Sequence, residues 1–206
     1  MGASDQRGQA FTLEAVVAAI VLLTAVAFAL QVTIVTPLSA STSSQHIEGQ
    51  QRSVAQGALA SAAEDGSLKE AILYRNQTAR QFHNTGDQGF YTDDPPDIEF
   101  GEKLDQAFTE QGIAYNVLVR YQVGEEAIDT EEMILQGTPS DNAVSATWTI
   151  SLRNDDHVIN EDGSRNETTV RESDRFYIPN GPADNAKSSD NGLYNVVTVE
   201  VVAWRI

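Results

Sequence analysis

Residues 15–36, AVVAAIVLLTAVAFALQVTIVT, carry no charge and are apolar apart from Thr24, Gln31, Thr33 and Thr36. At 1.5 Å rise per residue, about twenty such residues match the ~30 Å hydrocarbon layer of a bilayer. A helix that is apolar on every side cannot be left in water, so it must be buried in lipid, in a protein assembly, or in both. The expectation is one membrane helix over residues 15–35, with the rest of the chain shown to an aqueous exterior. A secretory signal peptide cut after Ala25-Val26-Ala27 also satisfies the small-x-small rule. Against it, the apolar run continues past Ala27, and Glu14 stands where a signal peptide is uncharged or basic.

With 206 residues the chain suits one globular domain and an appendage. Its 30 acidic residues against 13 basic ones give a net charge of -17, which repels nucleic acid and removes it as a partner. Lysine occurs only as Lys69, Lys103 and Lys187, and the acids are spread over the whole polar region. That pattern is a solvated acidic shell, which keeps a protein soluble where salt screens repulsion to a few Å and pushes the fold apart in dilute buffer. A halophilic source is the preferred expectation, and an ordinary acidic surface protein the alternative. Cysteine is absent, so there is no disulfide framework, thiolate metal site or thiol nucleophile.

Pro37 and the following SASTSS predict a bend or end to the first helix near Thr36. Beyond it Ile47, Val54, Ala55, Ala58, Leu59 and Ala62 recur at helical spacing, so a second amphipathic segment is expected up to Glu64. Ser67 with Glu70 reads as a capping box opening a short helix over 68–81. Residues 84–97, with two glycines and Pro95-Pro96, read as loop, and Leu104, Ala107 and Phe108 as a short helix stopped at Gly112. From Ile113 the period becomes two: residues 113–123 and 144–152 alternate as strands with one buried face, and 194–206 is apolar on both sides, as a central strand is. Weaker strands are expected at 133–135 and 167–171, the latter after an Asn160-Glu161-Asp162-Gly163 turn. The fold class is therefore α+β: a long N-terminal transmembrane helix, short helices, then an antiparallel sheet of four or five strands. The divisions are 1–10 as a leader, 11–37 as the transmembrane helix, 38–83 as an amphipathic helical segment, 84–112 as loop and short helix, and 113–206 as the β domain.

No catalytic constellation is visible. His46, His83 and His157 are scattered, and no HExxH, GxSxG or Gly-rich phosphate loop occurs. Asp93-Asp94-Pro95-Pro96-Asp97 and Asn160-Glu161-Asp162-Gly163 lack the ordered ligand spacing of a calcium loop and read as solvated turns. No metal or cofactor is assigned. Asn76-Gln77-Thr78 and Asn166-Glu167-Thr168 match the N-glycosylation pattern, which makes Asn76 and Asn166 candidate acceptors on an extracytoplasmic face.

The informative motif is Arg7-Gly8-Gln9-Ala10-Phe11-Thr12-Leu13-Glu14, directly before the apolar run. A carboxylate at that edge costs ~2.5–3.5 kcal/mol if drawn to the bilayer centre, so it is expected to be paired or functional. Here the chain resembles the type IV pilin-like proteins of archaea and bacteria, over about residues 5–37, and with its acidic composition it looks most like a haloarchaeal pilin-like surface protein. The resemblance implies a pilin-type helix. It also implies a polar leader removed by a membrane-embedded prepilin peptidase-like protease within Gly8, Gln9, Ala10 and Phe11. Glu14 would match the glutamate that pairs with a neighbouring subunit's new N-terminus. The family places that glutamate fifth in the mature chain, whereas counting from Phe11 it is fourth, so cleavage after Gly8, Gln9 or Ala10 stays open.

The expected function is a non-enzymatic, membrane-anchored surface protein, a major or minor subunit of a type IV pilus-like filament or pseudopilus. The alternative is a single-pass anchored extracellular domain that binds a ligand or partner without polymerising. Membrane lipid, the prepilin peptidase-like protease and other pilin-like subunits are the expected partners. The N-terminus is expected in the cytoplasm and the C-terminal domain outside the cell. The acidic shell makes one prediction. The sheet domain, residues 40–206, gains stability steeply between dilute and molar salt, which melting temperatures in the two conditions check; equal values would remove the halophile argument.

Overall fold

The computed structural model describes residues 3–123, 127–173, 176–178 and 192–205, with backbone alone for 3–13 and 29–44. The chain forms two compact units, Met1–Ile47 and Glu48–Ile206. Its helices are α1 (Ala3–Asp65), α2 (Ser67–Leu73), α3 (Glu99–Ala107) and α4 (Val170–Ser173), with a 3-10 turn at Thr109–Gln111. The strands are β1 (Arg75–Asn76), β2 (Gln81–Phe82), β3 (Ile113–Gln122), β4 (Ile128–Leu135), β5 (Val144–Arg153), β6 (His157–Ile159), β7 (Arg165–Thr169) and β8 (Leu193–Arg205). The architecture is α+β with antiparallel sheets.

The expected long N-terminal transmembrane helix is corrected: among the described residues, no helix is long and apolar enough to cross a membrane. Nor does the helix end at Thr36, because α1 continues through Pro37 to Asp65. Proline's fixed φ is itself helical, so the backbone can run on through it at the cost of one helical N–H.

In the second unit, the part of α1 from residue 48 buries Ala55, Leu59 and Ala62, all fully, at i, i+4, i+7 spacing. Ile47 and Val54 stay partly exposed. Gly66 then turns the chain at φ 91, a left-handed geometry that favours glycine. The predicted capping box does not form: no side chain caps α2. Instead the Asp65 carboxylate accepts from the Ser67 backbone N–H (3.0 Å) and hydroxyl (2.7 Å), and the amides of Lys69 and Glu70 donate to the Gly66 carbonyl. The helix expected over 68–81 stops at Leu73, and the chain turns into the β1–β2 hairpin.

Period-two patterning produces the main sheet, of order β4-β3-β8-β5. β8 is central, as its doubly apolar sequence requires, and Val197, Val199, Val201 and Ala203 are fully buried on its core face. Burying a valine contributes ~1.5–3 kcal/mol, so this row is a large share of the core. On β3 the buried Tyr115, Val117 and Val119 lie beside them in register. α3 packs so closely on the 95–96 turn that a Cβ on Gly101 would lie 1.9 Å from the Pro96 carbonyl oxygen, which only glycine allows. The run expected at 167–171 divides, with β7 ending at Thr169 and α4 starting at Val170.

Arg75 ties these pieces together. It is 4 % exposed, donates two hydrogen bonds from Nη2 to the Glu131 carboxylate of β4 at 2.7 and 2.8 Å, and lies 4.1, 4.6 and 5.1 Å from the rings of Phe82, Phe176 and Tyr177. Its Nε and Nη1 have no hydrogen-bond partner among the described residues, so the aromatic faces offset the lost hydration of that side of the guanidinium. Arg75→Ala removes both the ion pair and the packing and should cost about 3 kcal/mol of folding stability by denaturant titration. Arg75→Lys should recover only part, because an ammonium can replace the contact to Glu131 but has no flat guanidinium to stack among the three rings.

Candidate functional site

The residues singled out from sequence fall in two groups. The first lies in the Met1–Ile47 unit. Glu14 is exposed on α1, two residues before a surface on which Val16, Val17, Ile20, Val21, Leu22, Leu23, Val26 and Phe28 are each more than half exposed. These positions follow one another around the whole circumference, so no single groove could cover them. Ala18, Ala19, Ala25 and Ala27 lie between them and are also exposed, which leaves room for a close helix–helix approach. The Thr24 hydroxyl donates to the carbonyls of Ile20 and Val21 at 2.9 Å, so it adds no unsatisfied donor to an apolar surface. Gly8, Gln9, Ala10 and Phe11 are in the backbone of α1, and their side chains lie outside the described residues.

The second group is the pair of sequons, each in a small hairpin of the Glu48–Ile206 unit. Asn76 closes β1, and its side-chain oxygen accepts from the backbone N–H groups of Thr78 (3.0 Å) and Ala79 (2.9 Å). That Asx turn leaves Nδ2, the atom a glycan would be attached to, without a partner among the described residues. Asn166 on β7 is engaged at both ends: Nδ2 donates to Asn160 at 2.7 Å, and its oxygen accepts from the Thr168 N–H at 2.8 Å. The hairpins are joined, since Tyr74 bridges to Ile159 and the Tyr74 hydroxyl donates to the Glu161 carbonyl at 2.8 Å.

The histidines do not converge. His46 is exposed, while His83 and His157 are bonded to the carbonyls of Ile159 (3.2 Å) and Asn166 (2.8 Å), which is a structural use of the ring. Among the described residues no three acidic or histidine side chains are grouped to hold a metal ion. A cleft of about 490 Å³ lies between the α1–α2 corner and β5, lined by Asp65, Lys69, Trp148, Asp156 and His157 among others. Some of its charged side chains are engaged in ion pairs: Lys69 with Asp156 at 3.0 Å, and Asp65 with Lys103 at 2.8 Å. The hydrogen bond from Lys103, aided by Ser67, holds the Asp65 carboxyl down at about 2, and the same contact raises Lys103. Burial raises the tyrosines of the core, Tyr115 and Tyr121 to about 12, so they are neutral structural groups rather than acids poised for proton transfer.

Sequence reasoning passed over the Arg75 cage and the Lys69 and Lys103 pairs. The scarcity of lysine, two of whose three positions are these, was the available signal. With this α+β fold, the chain belongs to the family of unknown function DUF7288, whose model matches residues 7–203. No curated protein and no solved structure matches it.

The sequons differ in what they offer a glycosyltransferase. Asn76 should be occupied in protein isolated from its native source, and Asn166 at most marginally, as peptide mass spectrometry would read. Full occupancy at Asn166 with none at Asn76 would reverse this assignment.

Proposed function

We propose that this chain is a non-enzymatic subunit of a type IV pilus-like filament at the cell surface, processed within Gly8–Phe11 and assembled through the first part of α1. The observation that carries the reading is the exposed apolar surface around residues 16–28, set directly behind the Glu14 carboxylate. An apolar cylinder is covered most completely by several like cylinders, and copies of this helix supply them with alanines that let the backbones approach. Assembly of this kind turns over no substrate. Glu14 has a distinct part in it. Drawn among apolar helices, an uncompensated carboxylate is expensive, so it selects the arrangement in which a neighbour's new α-amino group lies opposite. The pair then fixes register, while the apolar faces supply the affinity.

The mature N-terminus tests the reading. A start at Gln9, Ala10 or Phe11 by mass spectrometry supports processing of the pilin type. A start at Phe28 would indicate signal peptidase, and an intact Met1 a plain anchored protein. Glu14→Ala should lower the filament-borne fraction by about tenfold or more, as expected for loss of an interfacial charge pair worth ~1.5 kcal/mol or more. Unchanged surface assembly in that variant would remove the main support for the filament.

A further inference from the structure

The two edges of the main sheet are built differently. At the β4 edge the strand carries Asp129, Glu131 and Glu132, and the ladder shifts register at Val117/Leu118. Tyr91 covers part of it, donating its N–H to the Met133 carbonyl (2.9 Å) and accepting from the Leu135 N–H (2.8 Å). Charges, bulges and covering segments are the usual means by which an edge is kept from pairing with another chain. β5 has none of them. From Val144 to Leu152 it carries no charge and no proline, and its only irregularity is at its far end, between Leu152 and Arg153. In a chain with 21 % charged residues and a net charge of -17, such a strand is out of keeping with the rest of the surface. Among the described residues β8 is its only strand neighbour, so one row of its amide and carbonyl groups has no ladder.

The occupant follows from charge. Any acidic strand of this protein would add nothing to match, and β4 opposed to its own copy would set its acids against one another. β5 opposed to itself sets no charge against charge. Ser145, Thr147, Thr149 and Ser151 are exposed on one face, and hydroxyls already pair across this sheet, Thr149 with Thr198 at 3.0 Å. On the other face Trp148 shares the core side with Val144, Ala146 and Leu152 yet is 40 % exposed, so a second strand would cover what this chain leaves open. We propose that β5 pairs antiparallel with β5 of a second copy of this chain, joining the two sheets into one across a two-fold axis. Repulsion between two strongly acidic copies opposes the contact in dilute buffer, and molar salt, with a Debye length of about 3 Å, removes the opposition. The contact does not rest on the helix-based assembly.

The chain has no cysteine, so a single introduced one reports only contacts between copies. Cysteines are placed one at a time at each position from 145 to 151 of the full-length protein, and at Thr130 on β4, and oxidised in molar salt. Residues directly opposite in an antiparallel pair have Cα atoms about 4.5–5.5 Å apart, within disulfide range. Covalent dimer should therefore peak at one position of β5, the residue on the axis, several-fold above Thr130→Cys. The peak should persist in a Glu14→Ala background. Thr147→Lys with Thr149→Lys, which sets like charges across the axis, should abolish the peak without lowering the melting temperature. Dimer formation equal at Thr130→Cys, monomers throughout the β5 series in protein that melts as the parent does, or a peak lost with Glu14→Ala would each overturn the pairing. The filament reading is judged separately, by the mature N-terminus.

Discussion

A single buried cation organises the Glu48–Ile206 unit. Arg75 leaves the end of α2, pairs with Glu131 on β4, and is enclosed by Phe82, Phe176 and Tyr177, so residues distant in sequence are held around one guanidinium. In a chain this acidic a carboxylate partner is easy to find; dry burial of the cation is not. The aromatic rings solve that, because their faces attract the charge while excluding water. The β1–β2 hairpin is too short to be stable alone, and this cage is what gives it a fixed place. Tyr177 adds a second tie by donating its hydroxyl to the Ile72 carbonyl at 3.0 Å.

The same contacts explain which parts of the fold were legible in the sequence. β3, β5 and β8 were readable because alternation is local and burial follows it directly, and the double-sided valine run identified β8 as central. The segment after Leu68 was misread as one helix. Its local pattern is helical, but Arg75 pairs 56 positions away with Glu131, and that tertiary contact, invisible in a short window, draws the chain out as strand. Ser67 and Glu70 likewise match a capping box, yet Asp65, anchored by Lys103, reaches the Ser67 amide first. At Pro37 the reverse holds: the sequence offers a local breaker, and α1 passes through it all the same.

The candidate site was legible as residue types rather than geometry. Both sequons are visible as triplets, but only the hydrogen bonds separate an Asn76 whose amide nitrogen is open from an Asn166 whose nitrogen is held by Asn160. The apolar surface behind Glu14 was plain from composition, since an all-round apolar helix needs no register to be recognised. The unguarded edge of β5 could not be read from its own residues, because a charge-free strand is equally at home in the middle of a sheet. Only the strand order places it at the margin.

Lysine is so scarce here that its placement has a practical consequence. Lys69 holds Asp156 and Lys103 holds Asp65 and Glu99, so both amines act as clasps at the corner where α1 gives way to α2 and α3. Lys103 is moreover kept protonated by its carboxylates, which lowers its nucleophilicity near neutral pH. Amine-directed fixatives and dyes would thus find these two groups either unreactive or, once acylated, no longer able to hold that corner. Carboxyl-directed chemistry, with 30 acidic side chains to choose from, can address the surface while sparing those clasps.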